Sequence, residues 1–398
     1  MKDKLVRPLG LYLHIPFCKS KCAYCDFYSL PGCEEKMDEY VAALTAHLAE
    51  TAPMAARHTV DTVYFGGGTP SYLGAERMRK LLQVVKKHYC VDKHAEITME
   101  ANPDSLFDWK SLRALHRLGL NRISLGVQSS DDEVLRSIGR IHSWQQVVAA
   151  AEEVRRAKIP DLSLDLIYGL PNQTMEQWQK TLDDALSLSP DHISCYGLKV
   201  EEGTPLWQRR ESIVLPDDEA QAQMYLYTVE HLRQRGYEQY EISNFARPGH
   251  ESRHNLKYWT LGEYAGFGPG AHSDFGNVRY AYSPDLDAYL QGQLLLSESE
   301  TMEEREREQE YIMLSLRTAA GLDVKAFENR FRCRFDGPQK LLHQYADHGL
   351  AQATACGWRL TPEGFLVSNA IIASLIEALA EEKLRRQEKT LRGDYRIV

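Results

Sequence analysis

The chain has 398 residues, 43% hydrophobic and 26% charged, which is enough for two or three domains around a sizeable core. A net charge of -9 and a pI of about 5.9 exclude a general electrostatic attraction to nucleic acid or to anionic membrane. No run reaches the roughly 18 apolar residues of a membrane span, and the opening MKDKLVRPLGLYLHIP lacks the apolar core and cleavage site of a leader, so cytoplasmic residence without stable membrane insertion is expected.

The first element in chain order is Gly10 to Ile15, an apolar run that Pro16 stops. It reads as a buried strand whose end delivers a loop. That loop holds Cys18, Cys22 and Cys25 in a C-x3-C-x2-C spacing. Thiolates this close in sequence can converge on one metal cluster. A four-iron four-sulfur cluster usually takes four cysteines, so three would leave one iron open to an exchangeable ligand. A disulfide pair and a zinc knuckle are the alternatives. The first lacks a secretory context, and the second lacks a downstream C-x2-C pair. Cys33, Cys90, Cys195, Cys333 and Cys356 are scattered, which fits ordinary thiols in a reducing compartment.

Lys36–Ala49 reads as helix, and Val60–Phe65 as a strand that runs into Gly66-Gly67-Gly68-Thr69-Pro70. Helix follows at Ala75–His88, then strand at Ala95–Glu100, helix at Trp109–Leu118 and strand at Arg122–Val127. A helical stretch from Asp131 to about Lys158 breaks near Gly139. Strand Leu162–Ile167, helix Met175–Leu188 and strand His192–Tyr196 complete the series. Six strand–helix alternations argue for parallel strands with helical crossovers. The expected fold class is α/β, as a partial (β/α)6 barrel of TIM-like type, with a doubly wound sheet as the alternative. Either way the strands' C-terminal ends carry the site. Gly67, Gly68 and Thr69 lie there, with Glu100 in MEANP, Gln128 in LGVQS, Asp165 in LDLIYGLP, and Arg140 twelve residues after Gln128. Each alone reads equally as a turn glycine or a capped polar residue.

From about Gly203 the alternation stops. A helix is expected at Pro216–Arg235, with Asp217 and Asp218 at its N-terminus. Tyr237–Phe245 reads as edge strand or extended segment, followed by the HNLKYW segment (His254–Trp259) and a glycine-rich run from Gly262 to Gly276. From Glu303 come helices at Arg305–Thr318, Val324–Phe331 and Gly337–His348, a hairpin reaching Thr361–Gly364, and a last helix from near Leu366 into the charged tail Glu381–Arg396. The expected division is a barrel over 1–200, edge strands and loops over 201–300, and a small winged-helix-like domain over 301–398. Nine Lys/Arg against ten Asp/Glu between Glu303 and Ala370 give that module no basic footprint for nucleic acid.

The three-cysteine spacing and the strand-end set resemble the radical S-adenosylmethionine (SAM) superfamily. The resemblance implies a four-iron four-sulfur cluster on Cys18, Cys22 and Cys25, whose open iron chelates SAM and whose electron cleaves it. It implies that Gly67, Gly68 and Thr69 contact the methionyl amino group and that Tyr12 and Tyr24 flank the cofactor. Tyr12 reads equally as a core tyrosine. Glu100 and Asp165 suit ribose hydroxyls and the ammonium, Gln128 joins the same pocket, and Arg140 suits the SAM carboxylate.

Within the superfamily the chain resembles the branch of the oxygen-independent coproporphyrinogen III dehydrogenase (HemN type), with two departures. That enzyme has a fourth cysteine where Phe27 stands, and a long extension before the cluster motif. Cys-Asp-Phe, HNLKYW and the small C-terminal module are similar instead to the HemW-type heme chaperones. That resemblance implies heme binding, a heme-acceptor protein, an electron donor protein, and a monomer or homodimer. A radical SAM enzyme acting on a tetrapyrrole is the alternative. His254 is the candidate axial heme ligand, with Tyr258 and Trp259 against the porphyrin. A hydrogen-bonded histidine in an aromatic turn is the competing reading. His14 and His272 are rival ligands.

Overall fold

The computed structural model describes residues 7–394, with side chains up to 387. Residues 1–6 of the stretch read as leaderless, and 395–396 of the charged tail, lie outside the described residues. The described chain divides into two compact units.

The first unit is built on a mixed sheet. Its centre is six parallel strands in chain order: Arg7–Ile15, His58–Gly67, Val91–Ala101, Arg122–Gln128, Asp161–Tyr168 and His192–Gly197. The order never reverses, so there is no switch point of a doubly wound sheet, and the partial barrel is the correct alternative. Tyr264–Phe267, from the glycine-rich run, lies parallel to the first strand, and His272–Phe275, Val278–Tyr282 and Leu296–Thr301 follow antiparallel. On the other side Asn244–Ala246 pairs antiparallel with the sixth strand. The segment expected as extra strands thus extends both margins of the same sheet.

Each barrel strand alternates between two environments. Leu9, Leu11, Leu13 and Ile15 are fully buried on the outer face, as are Ile123, Leu125 and Val127, and Leu162, Leu164 and Leu166. They pack under the helices Met37–Thr51, Ala75–His88, Trp109–Arg117, Trp144–Ala157 and Met175–Ser187. Each such side chain contributes about 1.5–3 kcal/mol relative to exposure. The inward residues are different: Arg122 and Ser124 on the fourth strand, Ser163 and Asp165 on the fifth, His192 and Ser194 on the sixth. A closed barrel fills its centre with Val, Ile and Leu layers. Here the centre is polar and the apolar core is the shell between strands and helices.

Helix starts follow local chemistry. Ser143 with Gln146, and Thr174 with Gln177, form reciprocal capping boxes. HNLKYW is a helix, Arg253–Trp259, and not a turn. Its N-terminal donors are met from far away: the Glu96 carboxylate on the third strand accepts from Arg253 N at 2.8 Å and His254 N at 2.9 Å. Ser252 Oγ adds a local cap, accepting from Asn255 N at 3.4 Å, while the carboxylate comes from 157 residues upstream.

The second unit comprises 302–398 with two short inserts, 239–242 and 258–261. Ile242 N donates to Arg317 O, and Ala319 N to Tyr240 O, each at 3.0 Å. Helices Glu304–Ser315, Val324–Phe331, Asp336–Asp347 and Ser368–Asp394 surround a three-stranded sheet with Gly357–Leu360 at its centre. Phe327 meets Phe331, Phe335 and Tyr311 in its core. Thr361 ends the hairpin by capping a further helical turn, Pro362–Leu366, so Thr361–Gly364 is not hairpin.

Candidate cofactor site at the strand ends

The cysteine loop is closed at its base. Phe17–Cys18 pairs with Leu30–Pro31, and Leu30 N donates to Pro16 O. His14 pins the loop's exit. Its Nε2 lies 2.8 Å from the Tyr28 carbonyl, which only accepts, so that nitrogen carries the proton. Nδ1 is then the acceptor for the Tyr12 hydroxyl at 3.0 Å. Burial lowers the His14 pKa to about 4, keeping the ring neutral in this role.

The glycine segment docks onto that base. Gly68 N donates to Ile15 O and Thr69 N to Phe17 O, each at 2.8 Å. Gly67 has φ +109°, and a Cβ there would stand 2.4 Å from the His14 ring. A Cβ on Gly68 would meet the Ile15 and Phe17 carbonyl oxygens at 2.8 Å. These glycines are therefore demanded by the protein's own packing, before any ligand is considered.

The loop and the strand ends enclose a cavity of about 410 Å³. All the residues expected to hold cluster or SAM line it except Tyr12, and none of the candidate heme residues does. Cys18, Cys22 and Cys25 are free thiols on one wall. Burial raises the pKa of Cys18 and of Cys25, so metal uptake there releases protons. The surroundings suit a cluster. The Thr69 hydroxyl lies 3.3 Å from Cys18 Sγ, and Arg140 Nη1 lies 3.5 Å from Cys22 Sγ. Among the described residues no group of three His, Cys, Asp or Glu side chains is placed to hold a single metal ion.

Two buried carboxylates face the cavity. Glu100 accepts from the Tyr64 hydroxyl at 2.8 Å and from Gly67 N at 3.1 Å. Burial, with Asp165 nearby, outweighs these donors and raises its pKa to about 7. Asp165 accepts from Ser194 at 2.7 Å and from Ser124 at 2.9 Å, and burial still raises its pKa. Gln128 ends its strand at φ +67°, an unusual conformation for a non-glycine residue. Arg140 is turned towards Cys22, Asn102 and the Gly126 carbonyl. Tyr24 packs beside Val134, Ile138, Ile167 and Leu170.

In this structure His254 sits as the hydrogen-bonded histidine of its competing reading. It is fully buried, its Nδ1 lies 2.8 Å from Thr62 Oγ1, and its ring stacks on Tyr64 at 5.0 Å. Burial lowers its pKa to about 3. In this conformation the imidazole has no open face for a porphyrin, because the helix Arg253–Trp259 holds it under Tyr64. Tyr258 and Trp259 are half-buried, His14 is enclosed, and His272 is exposed. Tyr12, likewise, is a wall residue of His14 and not of the cavity. Sequence reasoning missed Tyr64, Asn102, Arg122 and the serines around Asp165. The two-residue alternation in HISCYG and LSLDLIY marks the inward positions of their strands.

Residues 12–185 match the radical SAM superfamily and residues 302–367 match the HemN C-terminal domain. A heme chaperone HemW of Bacillus subtilis (strain 168) is 35% identical, over 92% of this chain and 99% of its own length. The HemW of Escherichia coli (strain K12) is 37% identical, over 92% of this chain and 97% of its own. This chain belongs to the HemW family, within the radical SAM superfamily. Its fold is also similar to the coproporphyrinogen III oxidase (HemN) of Escherichia coli, described as a radical SAM enzyme. That likeness has a TM-score of 0.80 at 26% identity, covering 94% of this chain and 90% of the other. Where a HemN-type cysteine was expected to be missing, this HemW-family chain presents the Phe27 ring, 64% exposed at the cavity wall. Among the described residues no helix is long and apolar enough to cross a membrane.

Proposed function

We propose that this chain is a heme chaperone that binds heme and passes it to an acceptor protein, and that it carries a four-iron four-sulfur cluster with SAM. Supporting this is the set of three free thiols on one cavity wall in a chain that aligns with HemW heme chaperones over 92% of its length. Cys18, Cys22 and Cys25 would hold the cluster. Gly67, Gly68, Thr69, Glu100, Gln128, Asp165 and Tyr24 would hold SAM around it, with Arg140 between the two. When bound, the cluster supplies the electron that cleaves SAM. The chain's own part is to exclude water, to present hydroxyl and guanidinium donors to sulfur, and to offer Glu100 to an ammonium. Residence in the cytoplasm, an electron donor protein, and a monomeric or homodimeric state belong to the same reading.

The heme ligand is proposed to be an accessible imidazole. His272 meets that requirement as the fold stands, and His254 meets it only if its helix leaves Tyr64. A second reading, a radical SAM enzyme acting on a tetrapyrrole, is favoured by the likeness to coproporphyrinogen III oxidase. Anaerobic reconstitution followed by heme titration, with and without SAM, tests the first. A Soret shift and passage of heme to an apo-hemoprotein are expected. Conversion of added coproporphyrinogen III to protoporphyrinogen would establish the second reading instead.

A further inference from the structure

We infer that Asn102 is a positioning residue that aims two hydrogen-bond donors at the sulfurs of Cys18 and Cys22 and thereby raises the reduction potential of a cluster held there. The inference rests on the proposed cluster. The amide orientation is fixed by chemistry. Arg140 Nη2 lies 2.9 Å from Asn102 and can only donate, so the atom facing it is Oδ1. Nδ2 therefore faces Thr69 Oγ1, at 3.1 Å, and donates to it. A cluster-bound Cys18 thiolate can only accept, so the Thr69 hydroxyl, itself held by the Asn102 amide, donates to Sγ 3.3 Å away. On the other arm the same guanidinium sends Nη1 to Cys22 Sγ at 3.5 Å. One side chain thus orders an O–H···S and an N–H···S contact.

The surroundings hold this amide in place. Asn102 N donates to Ser71 Oγ at 3.2 Å, and Asn102 O accepts from Ser105 N at 3.1 Å. Thr69 is 3% exposed and Arg140 8%, so the chain of contacts lies in a low-dielectric region where such bonds polarise one another. Gly126 makes room: a Cβ there would stand 3.1 Å from Asn102 Oδ1 and 3.2 Å from Arg140 Nη2. Donors on cluster sulfur stabilise the more negative, reduced state, so each raises the potential.

The test is a redox titration of the reconstituted full chain followed by electron paramagnetic resonance, without SAM, for wild type, Asn102→Ala, Thr69→Val and the double variant. Each single variant is expected to shift the midpoint to more negative potential. The double variant is expected to shift it by less than the sum, because Asn102 acts through Thr69. Lower cluster occupancy at an unmoved midpoint in both single variants would overturn the inference, as would strict additivity in the double variant. If Asn102→Ala does not load, Asn102→Leu, which keeps the volume and loses both polar atoms, takes its place in the same series. A wild type that never takes a cluster sinks the proposed function as well; a loaded wild type with unmoved variants sinks this inference only.

Discussion

Glu100 illustrates what burial does to a single residue. Its pKa is raised from 4.5 to about 7, so the folded state favours the protonated acid. The stability this contributes is complete below pH 4.5 and is lost as pH rises through about 7. Glu100→Gln is therefore expected to melt higher than wild type at pH 8 and about equally at pH 4.5, in thermal unfolding without ligands. An ammonium beside the carboxylate reverses the preference and expels the proton. SAM affinity of the reconstituted protein should accordingly rise from pH 5.5 to pH 7, below the range in which an α-amino group loses its own proton, and rise less in Glu100→Gln, by calorimetry in buffers of different ionisation heat. The three cysteines were legible at this scale because their spacing is short. Asn102 was not, although it sits in the same MEANP segment as Glu100, because its role exists only where Thr69, Arg140 and the loop meet.

At the scale of elements, the glycine segment and the short helix are the informative pieces. Gly67→Ala places a methyl in the His14 ring at an unfavourable φ. It is expected to cost about 3 kcal/mol by urea unfolding and to loosen the cysteine loop. His254→Ala removes the ring beneath Tyr64 and should cost about 2–4 kcal/mol by the same measure. Heme titration of the folded variant separates this from ligation: a Soret shift that survives His254→Ala and fails in His272→Ala is the expected pattern. Helix Ala75–His88 was read to the residue, because its apolar spacing and its bounding glycine are local. Strand Val91–Ala101 was read four residues short at its start, since Asp92, Lys93 and His94 are polar and exposed and only Val91 of this stretch pairs with the neighbouring strand. That HNLKYW is helical was not legible, because its helix is short and the carboxylate that meets its first donors comes from another strand.

For the whole molecule, the acidic balance governs partners. The second unit keeps near-equal numbers of basic and acidic residues, and no salt-dependent gel shift with duplex DNA is expected. The six-fold alternation gave away the barrel, because parallel strands buried on one face under helices leave a strong two-residue rhythm. The margins were harder: nothing local to Tyr264–Phe267 says that it returns to lie beside the first strand. Likewise the insert at 239–242 joins the second unit through backbone bonds that carry no sequence mark.

The sheet's two faces answer to different demands. Leucines pointing outward fill the apolar shell, whereas serines, arginine and histidine pointing inward form a hydrogen-bonded lining. Substitutions on the inner face can therefore accumulate at small structural penalty, provided each buried dipole keeps a companion. A lineage could trade one cargo or reaction for another by rewriting alternate letters of six short words, leaving the scaffold's grammar untouched.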